Sequence, residues 1–376
     1  MKSNKLRMAV RATATLAVLG AASQAMAVEL QTGDYKSSLY GYARLNASYD
    51  INEDVSSSTR SFDYSAINVG AAEDNEVTGF FGADAVQSRI GFKTMSPEGV
   101  TFNIEGDFRP GTLRLRHAYG SYHGVLMGQT WSNFTSFVGN TSTLDFDSLP
   151  GAAGYQSRTA QARYTTGPLS FSVEQPQNSV SGTSTRKDSM PAFTARIEDS
   201  AGGLSYSAAV LAQQVSYDDS ASAGNNDSSL GFATFVAANM AVTDMITIQG
   251  TLSYTDGANS YLYRSGAPSA YVDPANGNIE TISGYGGSVG TGINLGGGRS
   301  VNIGYGMVTV DLDDAVNSGA VLGTKTDTTQ AVMANYKWTP IKNVMMGVEY
   351  QYGKREVQNG DSGDASRILF ASQYNF

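Results

Sequence analysis

After residue 28 this 376-residue chain nowhere holds 18 consecutive apolar residues, so no helix in it is suited to cross a bilayer. It holds instead short segments in which apolar and polar side chains alternate. In the clearest, Ile246, Ile248, Gly250, Leu252 and Tyr254 share one strand face, and Thr247, Gln249, Thr251 and Ser253 share the other. Walking the chain with this period predicts sixteen strands, near 39–49, 85–94, 100–108, 112–121, 124–131, 157–165, 169–175 and 190–198, then 204–215, 229–239, 245–255, 281–295, 299–310, 328–338, 344–354 and 365–376. Most reach the roughly 9–11 residues that a tilted strand needs to cross hydrocarbon. A closed barrel is the strand-built structure that satisfies every backbone N–H and C=O there.

The gaps carry a second rhythm. Short links at 95–99, 122–124, 166–168, 199–203, 240–244, 296–298 and 339–343 alternate with longer polar segments at 50–84, 132–156, 176–189, 216–228, 256–280, 311–327 and 355–364. The link at 109–111 is short where a long one is due. Tight turns at one rim and long loops at the other are the plan of an outer-membrane barrel; a β-sandwich has no reason to sort its loops this way. The expected fold is therefore all-β, one transmembrane antiparallel β-barrel of 16 strands over residues 28–376. A barrel of that width is not filled by its side chains and encloses water. Phe102, Ile104 and Phe108 suit the lipid face, opposite Asn103, Glu105 and Asp107, while Tyr336, Trp338, Tyr350 and Tyr352 suit the interfacial girdles.

Composition agrees. Charged residues make up 16% of the chain, against about 25% in soluble domains, as lipid-facing strand faces require. The absence of cysteine excludes a disulfide scaffold, a thiolate zinc site and a cysteine nucleophile. A net charge of −9 argues against a general nucleic-acid binder. At the N-terminus, Lys2, Lys5, Arg7 and Arg11 precede a short apolar stretch, Ala12 to Ala22, and Ala25-Met26-Ala27 supplies a small-x-small cleavage pattern. Residues 1–27 thus read as a secretory signal with the mature chain beginning at Val28. Removing them takes away four basic side chains and leaves 21 basic against 34 acidic residues, a net of −13. At the other end Ile368, Phe370, Ser372, Tyr374 and Phe376 share a strand face, and the terminal aromatic with Tyr two positions earlier resembles the assembly signal of bacterial outer-membrane barrels.

Basic residues gather on the early strands. On the faces assigned to the lumen lie Arg44, Arg89, Lys93, Arg114, Arg116, Arg163 and Arg196, with Leu113, Leu115 and Tyr119 placed opposite Arg114 and Arg116. Charge at mid-membrane on the lipid side costs about 2–4 kcal/mol, whereas charge on the lumen side tunes selectivity. The loop at 132–156 carries Asp145 and Asp147, with Phe134, Phe137 and Phe146 available to pin it to the wall. Wall arginines facing these carboxylates would set a transverse field across a narrow aperture; the alternatives are arginines that brace loops and aspartates that sit in solvent. The first long segment sets Asp50, Glu53, Asp54, Asp63, Glu73, Asp74, Glu76 and Asp84 against Arg60. Such acid could share divalent cations with lipopolysaccharide, but its spacing matches no defined calcium loop, and a solvated acidic rim is the simpler reading. No cofactor or resident metal is expected. His117 is expected to face outward if Arg116 faces the pore.

Several runs resemble known proteins. Leu39-Tyr40-Gly41 followed by Ser88-Arg89-Ile90-Gly91-Phe92-Lys93 resembles Gram-negative trimeric porins. Glu105-Gly106-Asp107-Phe108, Leu115-Arg116-His117-Ala118-Tyr119-Gly120 and Gly128-Gln129-Thr130-Trp131 are similar to the DcaP-type porins, and Leu144-Asp145-Phe146 and Gln161-Ala162-Arg163-Tyr164 extend that match over about 86–175. In trimeric porins the loop after the fifth strand folds into the lumen and forms the constriction. The resemblance implies a homotrimer in the outer membrane, in contact with lipid and lipopolysaccharide, with an arginine-lined channel favouring small anions such as dicarboxylates. The alternatives from the residues alone are a cation-preferring diffusion channel, suggested by the net −13, a membrane-embedded hydrolase using His117 or His123, and an adhesin that conducts nothing.

Overall fold

The computed structural model describes residues 27–55, 61–75, 77–182, 185–220 and 225–376; the expected signal segment, up to Met26, lies outside them. The chain forms a closed antiparallel barrel of 16 strands. In chain order these are β1 (Tyr35–Asp50), β2 (Phe80–Asp84 and Arg89–Met95), β3 (Thr101–Asp107), β4 (Arg114–Tyr122), β5 (Val125–Trp131), β6 (Arg158–Thr166), β7 (Leu169–Glu174) and β8 (Ala192–Ala201). They continue as β9 (Leu204–Asp218), β10 (Asn226–Ala241), β11 (Ile246–Asp256), β12 (Ser283–Gly296), β13 (Arg299–Val310), β14 (Thr326–Ile341), β15 (Val344–Val357) and β16 (Ser362–Asn375). Each strand pairs with its sequence neighbours, and β1 closes the ring by pairing Tyr42–Asp50 with Arg367–Asn375 of β16. Gly41 and Phe376 exchange both backbone hydrogen bonds at the end of this seam, at 3.1 and 3.0 Å.

The expected turn and loop rhythm is the observed one, including the short β3–β4 link. Two boundaries differ for local reasons. β1 begins at Tyr35, and its first residues pair with a strand at Val28–Thr32 that periodicity does not reveal. β2 is interrupted at 85–88, where Asp84 Oδ1 accepts the Val86 N–H, the Ser88 N–H bonds Ala85 O, and Ser88 Oγ takes the Arg44 N–H that the ladder leaves unpaired. A small sheet joins two long loops outside the barrel: Val180–Ser181 runs parallel to Ala270–Val272, which pairs with Ile279–Thr281.

The outer faces are apolar, with Leu45, Phe102, Ile104, Leu115, Met127, Phe171, Leu252 and Val289 exposed toward lipid. Tyr336 stacks on Trp338, ring centroids 5.5 Å apart. The inner wall is divided. On β1–β7 it is polar, with Asn46, Asn103, Glu105, Asp107, Thr130, Gln161 and Ser172 buried there. On β8–β16 small and apolar side chains are interspersed with buried polar ones such as Thr251, Asn335, Glu349 and Arg367, and loops that turn inward cover them: Phe134, Val138 and Tyr261 pack with Ala209, Ala233 and Phe235, and Phe62, Tyr64 and Leu149 pack with Ala331, Met333 and Ala365. Glycine supplies room for this. A Cβ on Gly306 would collide with Pro150 O, and one on Gly347 would stand 2.9 Å from both Leu144 methyls. Replacing Gly306 by Val should therefore push the inward loop off the wall and lower folding stability by about 1–3 kcal/mol, read as a drop in the urea midpoint of the detergent-solubilised protein.

Candidate functional site

The segment 132–157, between β5 and β6, lies inside the barrel, and buried carboxylates on the wall hold its start and its middle. At the first end Glu174, 2% exposed, accepts the Ser132 hydroxyl and the Asn133 N–H, both at 2.6 Å. At the far wall Glu349, fully buried, accepts the consecutive N–H groups of Leu144 and Asp145 at 2.7 and 2.9 Å, together with Asn335 Nδ2 and Gln351 Nε2. Arg44 Nη2 donates to Leu144 O at 2.7 Å, Asn335 Nδ2 to Ser142 O at 2.8 Å, and Lys337 Nζ to Thr143 O at 2.7 Å. Phe134 packs on Phe235 and Tyr261 with centroids 5.0 and 5.9 Å away.

Arg264, in the loop between β11 and β12, ties three loops together. Its guanidinium donates to Phe62 O and to Ser148 O, stands 4.2 Å over the Tyr64 ring, and lies 4.0 Å from Asp145 Oδ1. Asp145 also accepts the N–H groups of Phe62, Asp147 and Ser148 and the amide of Gln351. Burial pushes its carboxyl up to about 6; Arg264 opposes the shift, and Asp147 and Glu349 add to it.

Across from this loop a cluster of charge sits on β2–β6. Arg114 makes a two-pronged contact with Asp107 at 3.0 and 2.8 Å. Arg116 bonds Glu105 Oε1 at 2.7 Å and Asp107 Oδ2 at 2.9 Å, and Arg89 approaches Glu105 at 3.3 Å. Phe146, at the tip of the inward loop, stands under Arg116 at 5.3 Å and Arg89 at 5.8 Å. Arg158 lies 4.0 Å over the Trp131 ring, and its Nε and Nη2 find no hydrogen-bond partner among the described residues, nor does Arg116 Nη2. Asp147, on the loop, comes within 4.0 Å of Arg109. A cavity of about 270 Å³ between loop and wall is lined by Trp131, Phe137, Phe146, Asp147 and Gln156, among others.

A β-bulge sets the orientation of β4. Glu105 pairs with His117 and Gly106 with Leu115, so Arg116 is the extra residue. The alternation slips by one there and turns both Arg116 and His117 inward, which corrects the outward expectation for His117. The ring is 7% exposed, its Nδ1 is 2.9 Å from Thr130 Oγ1, and its Nε2 is 3.9 Å from Glu105. Tyr119 moves with it to the inner face, opposite Asn103, and not to the face of Leu113 and Leu115.

The nine residues singled out from sequence thus fall into three groups. Arg89, Arg114 and Arg116 come together in the charge cluster. Arg44 and Asp145 meet at the loop's anchor, and Asp147 lies beside them facing Arg109. Arg196 holds the start of the same loop through Thr135 O, 3.9 Å from Glu198, while Lys93 and Arg163 stand apart. Arg109, Arg158, Glu174, Arg264 and Glu349 were not expected. For the two glutamates a signal exists: each is a single carboxylate on the lumen side of an alternating run, beside Val173 and between Val348 and Tyr350.

Residues 37–373 match the porin subfamily. The chain belongs to that family. Among solved structures, this porin is similar to the outer membrane channel DcaP of Acinetobacter baumannii, at 29% identity over 93% of this chain and 99% of that one, with a TM-score of 0.76. The fold is shared with an anion-selective porin from Comamonas acidovorans, at 13% identity over 91% and 100% of the two chains and TM-score 0.58, and with the trimer form of OmpT from Vibrio cholerae, at 11% identity over 92% and 100% and TM-score 0.54. No curated protein matches at the sequence level. The porin is a non-enzymatic channel spanning the outer membrane, which removes the hydrolase alternative.

Two outcomes follow for the anchor. Glu349→Ala should leave two buried loop N–H groups unpaired and lower stability by about 1–3 kcal/mol, with noisier single-channel current as the loop leaves the wall. The Asp145 carboxyl titrates above its value of 3.8 in a free chain, so the folded state binds the extra proton between about pH 4 and 6. Its contribution to stability is therefore largest at low pH and falls as pH rises through 6. In thermal melts, Asp145→Asn should remove that part of the pH dependence.

Proposed function

We propose that this porin passes small hydrophilic solutes by diffusion and favours small anions such as dicarboxylates at a constriction between the inward loop and the β2–β6 wall. The observation that carries this reading is the charge balance of the wall: Arg89, Arg114, Arg116 and Arg158 surround two carboxylates, Glu105 and Asp107. The paired carboxylates hold the guanidinium groups in fixed directions, and the surplus of positive charge is left for a passing solute. Arg114, 37% exposed, and the half-buried Arg158 are suited to donate to a passing carboxylate, while Arg116, 1% exposed, stays buried behind them. Phe146 and Trp131 limit the opening with flat apolar faces on which the same arginines rest. Weak, multi-site attraction of this kind lets a solute bind and leave. We further propose that residues 1–27 are a cleaved signal, that the barrel works as a homotrimer, and that its outer face meets lipopolysaccharide, as the resemblance to trimeric porins implies.

Reversal potentials in a planar bilayer under a salt gradient test the reading. The wild type should be anion-selective, and Arg116→Gln, which takes one arginine away from both Glu105 and Asp107, should shift selectivity toward cations. Cation selectivity in the wild type would instead support the diffusion channel suggested by the net acidic charge.

A further inference from the structure

Arg163 does not belong to the charge cluster. It faces the lumen from β6, five residues along the strand from Arg158, a separation of about 16 Å at 3.3 Å per residue. Its strand neighbours are Leu126 and Ser172, so it stands toward the short-turn rim, which is the periplasmic one in a barrel of this plan. It makes no ion pair and no hydrogen bond to any described residue. It lines a cavity of about 250 Å³ together with Thr101, Ser121, Leu126, Thr165 and the turn at His123–Gly124. No carboxylate lines that cavity. The carboxylates whose charge reaches Arg163, Glu174 and Glu198, are already committed to the inward loop: Glu174 to Ser132 and Asn133, Glu198 to the Ser136 hydroxyl at 2.8 Å. Arg196, the cation beside it, is likewise engaged, through Thr135 O.

We propose that Arg163, with the hydroxyls of Thr101, Ser121 and Thr165, forms a second anion station at the periplasmic mouth, separate from the constriction and specific for a small oxyanion group, carboxylate or phosphate. The proposal rests on the anion preference proposed above. A single guanidinium fork binds a planar carboxylate or a phosphate edge through two parallel N–H bonds, and the hydroxyls of β3, β4 and β6 that line the same cavity supply the remaining donors. An anion leaving the constriction would then meet a second shallow site before the periplasm, so two weak steps replace one long barrier. Lys93, on the inner face of β2 and likewise without a described partner, adds positive charge near the same rim.

The test uses the full porin in planar bilayers, with the orientation of each inserted channel assigned by a tag on an extracellular loop. Inorganic phosphate is titrated on one side at a time while chloride current is recorded. Block from the periplasmic side should need about tenfold more phosphate in Arg163→Gln, the equivalent of about 1.4 kcal/mol, whereas block from the extracellular side should be unchanged. Arg163→Lys, which keeps the charge and loses the fork, should fall between the two and guards against a folding defect. Acetate in place of phosphate should show the same sidedness. If the wild type is anion-selective and Arg163→Gln leaves periplasmic block unaltered, or weakens both sides equally, the second station is wrong. If the wild type is cation-selective, it is the underlying anion reading that fails.

Discussion

A backbone in hydrocarbon has no water to accept its N–H groups or donate to its carbonyls, and each unsatisfied group there is expensive. The pairing of β1 with both β2 and β16 is what leaves no such edge in this protein. Because β1 holds 16 residues, it can meet β2 near the turn rim along Lys36–Tyr42 and still reach β16 along Tyr42–Asp50. Closure at this width leaves an interior that the strands themselves do not fill. What fills it is loop, and the remaining features follow from how loop is fastened to wall.

The fastening is partly electrostatic and partly steric. Glu174, Glu349, Arg44 and Arg264 bind loop backbone directly, so each buried charge is neutralised by fixed dipoles rather than by water. Beside them, small residues such as Gly347 let the loops lie close. The result is an asymmetric lumen. Strands β8–β16 carry most of the apolar plug, and β2–β6 carry the charge cluster. Glu105 and Asp107 hold Arg89, Arg114 and Arg116 on that wall.

The strand count and the turn rhythm were legible because they depend on local periodicity and on the chemistry of a lipid face, while the inward loop was expected only from the resemblance to trimeric porins. Where strict alternation runs on, as at Arg44 and Arg89, the face read from sequence is the one the side chain takes. Face assignment failed at His117 and Tyr119, because one extra residue in a ladder reverses every face beyond it and Leu-Arg-His carries no mark of a bulge. Partner choice was not legible either. Glu105 and Asp107 were assigned to the lumen side of β3, yet their contact with Arg114 and Arg116 depends on the register of two strands. Arg264 lies 119 positions from Asp145 in the chain and 4.0 Å from it in space.

By itself, then, the sequence determined the class of object: alternating segments with no long apolar run, sorted links and an acidic chain with early-strand arginines require a barrel that encloses water. Those features are set residue by residue, by which side chains tolerate lipid and which do not. The tertiary structure decided which charges are spent on one another and which are left over. That difference arises because an arginine's role depends on what stands within a few ångströms across the barrel, and such distances exist only after the ring has closed.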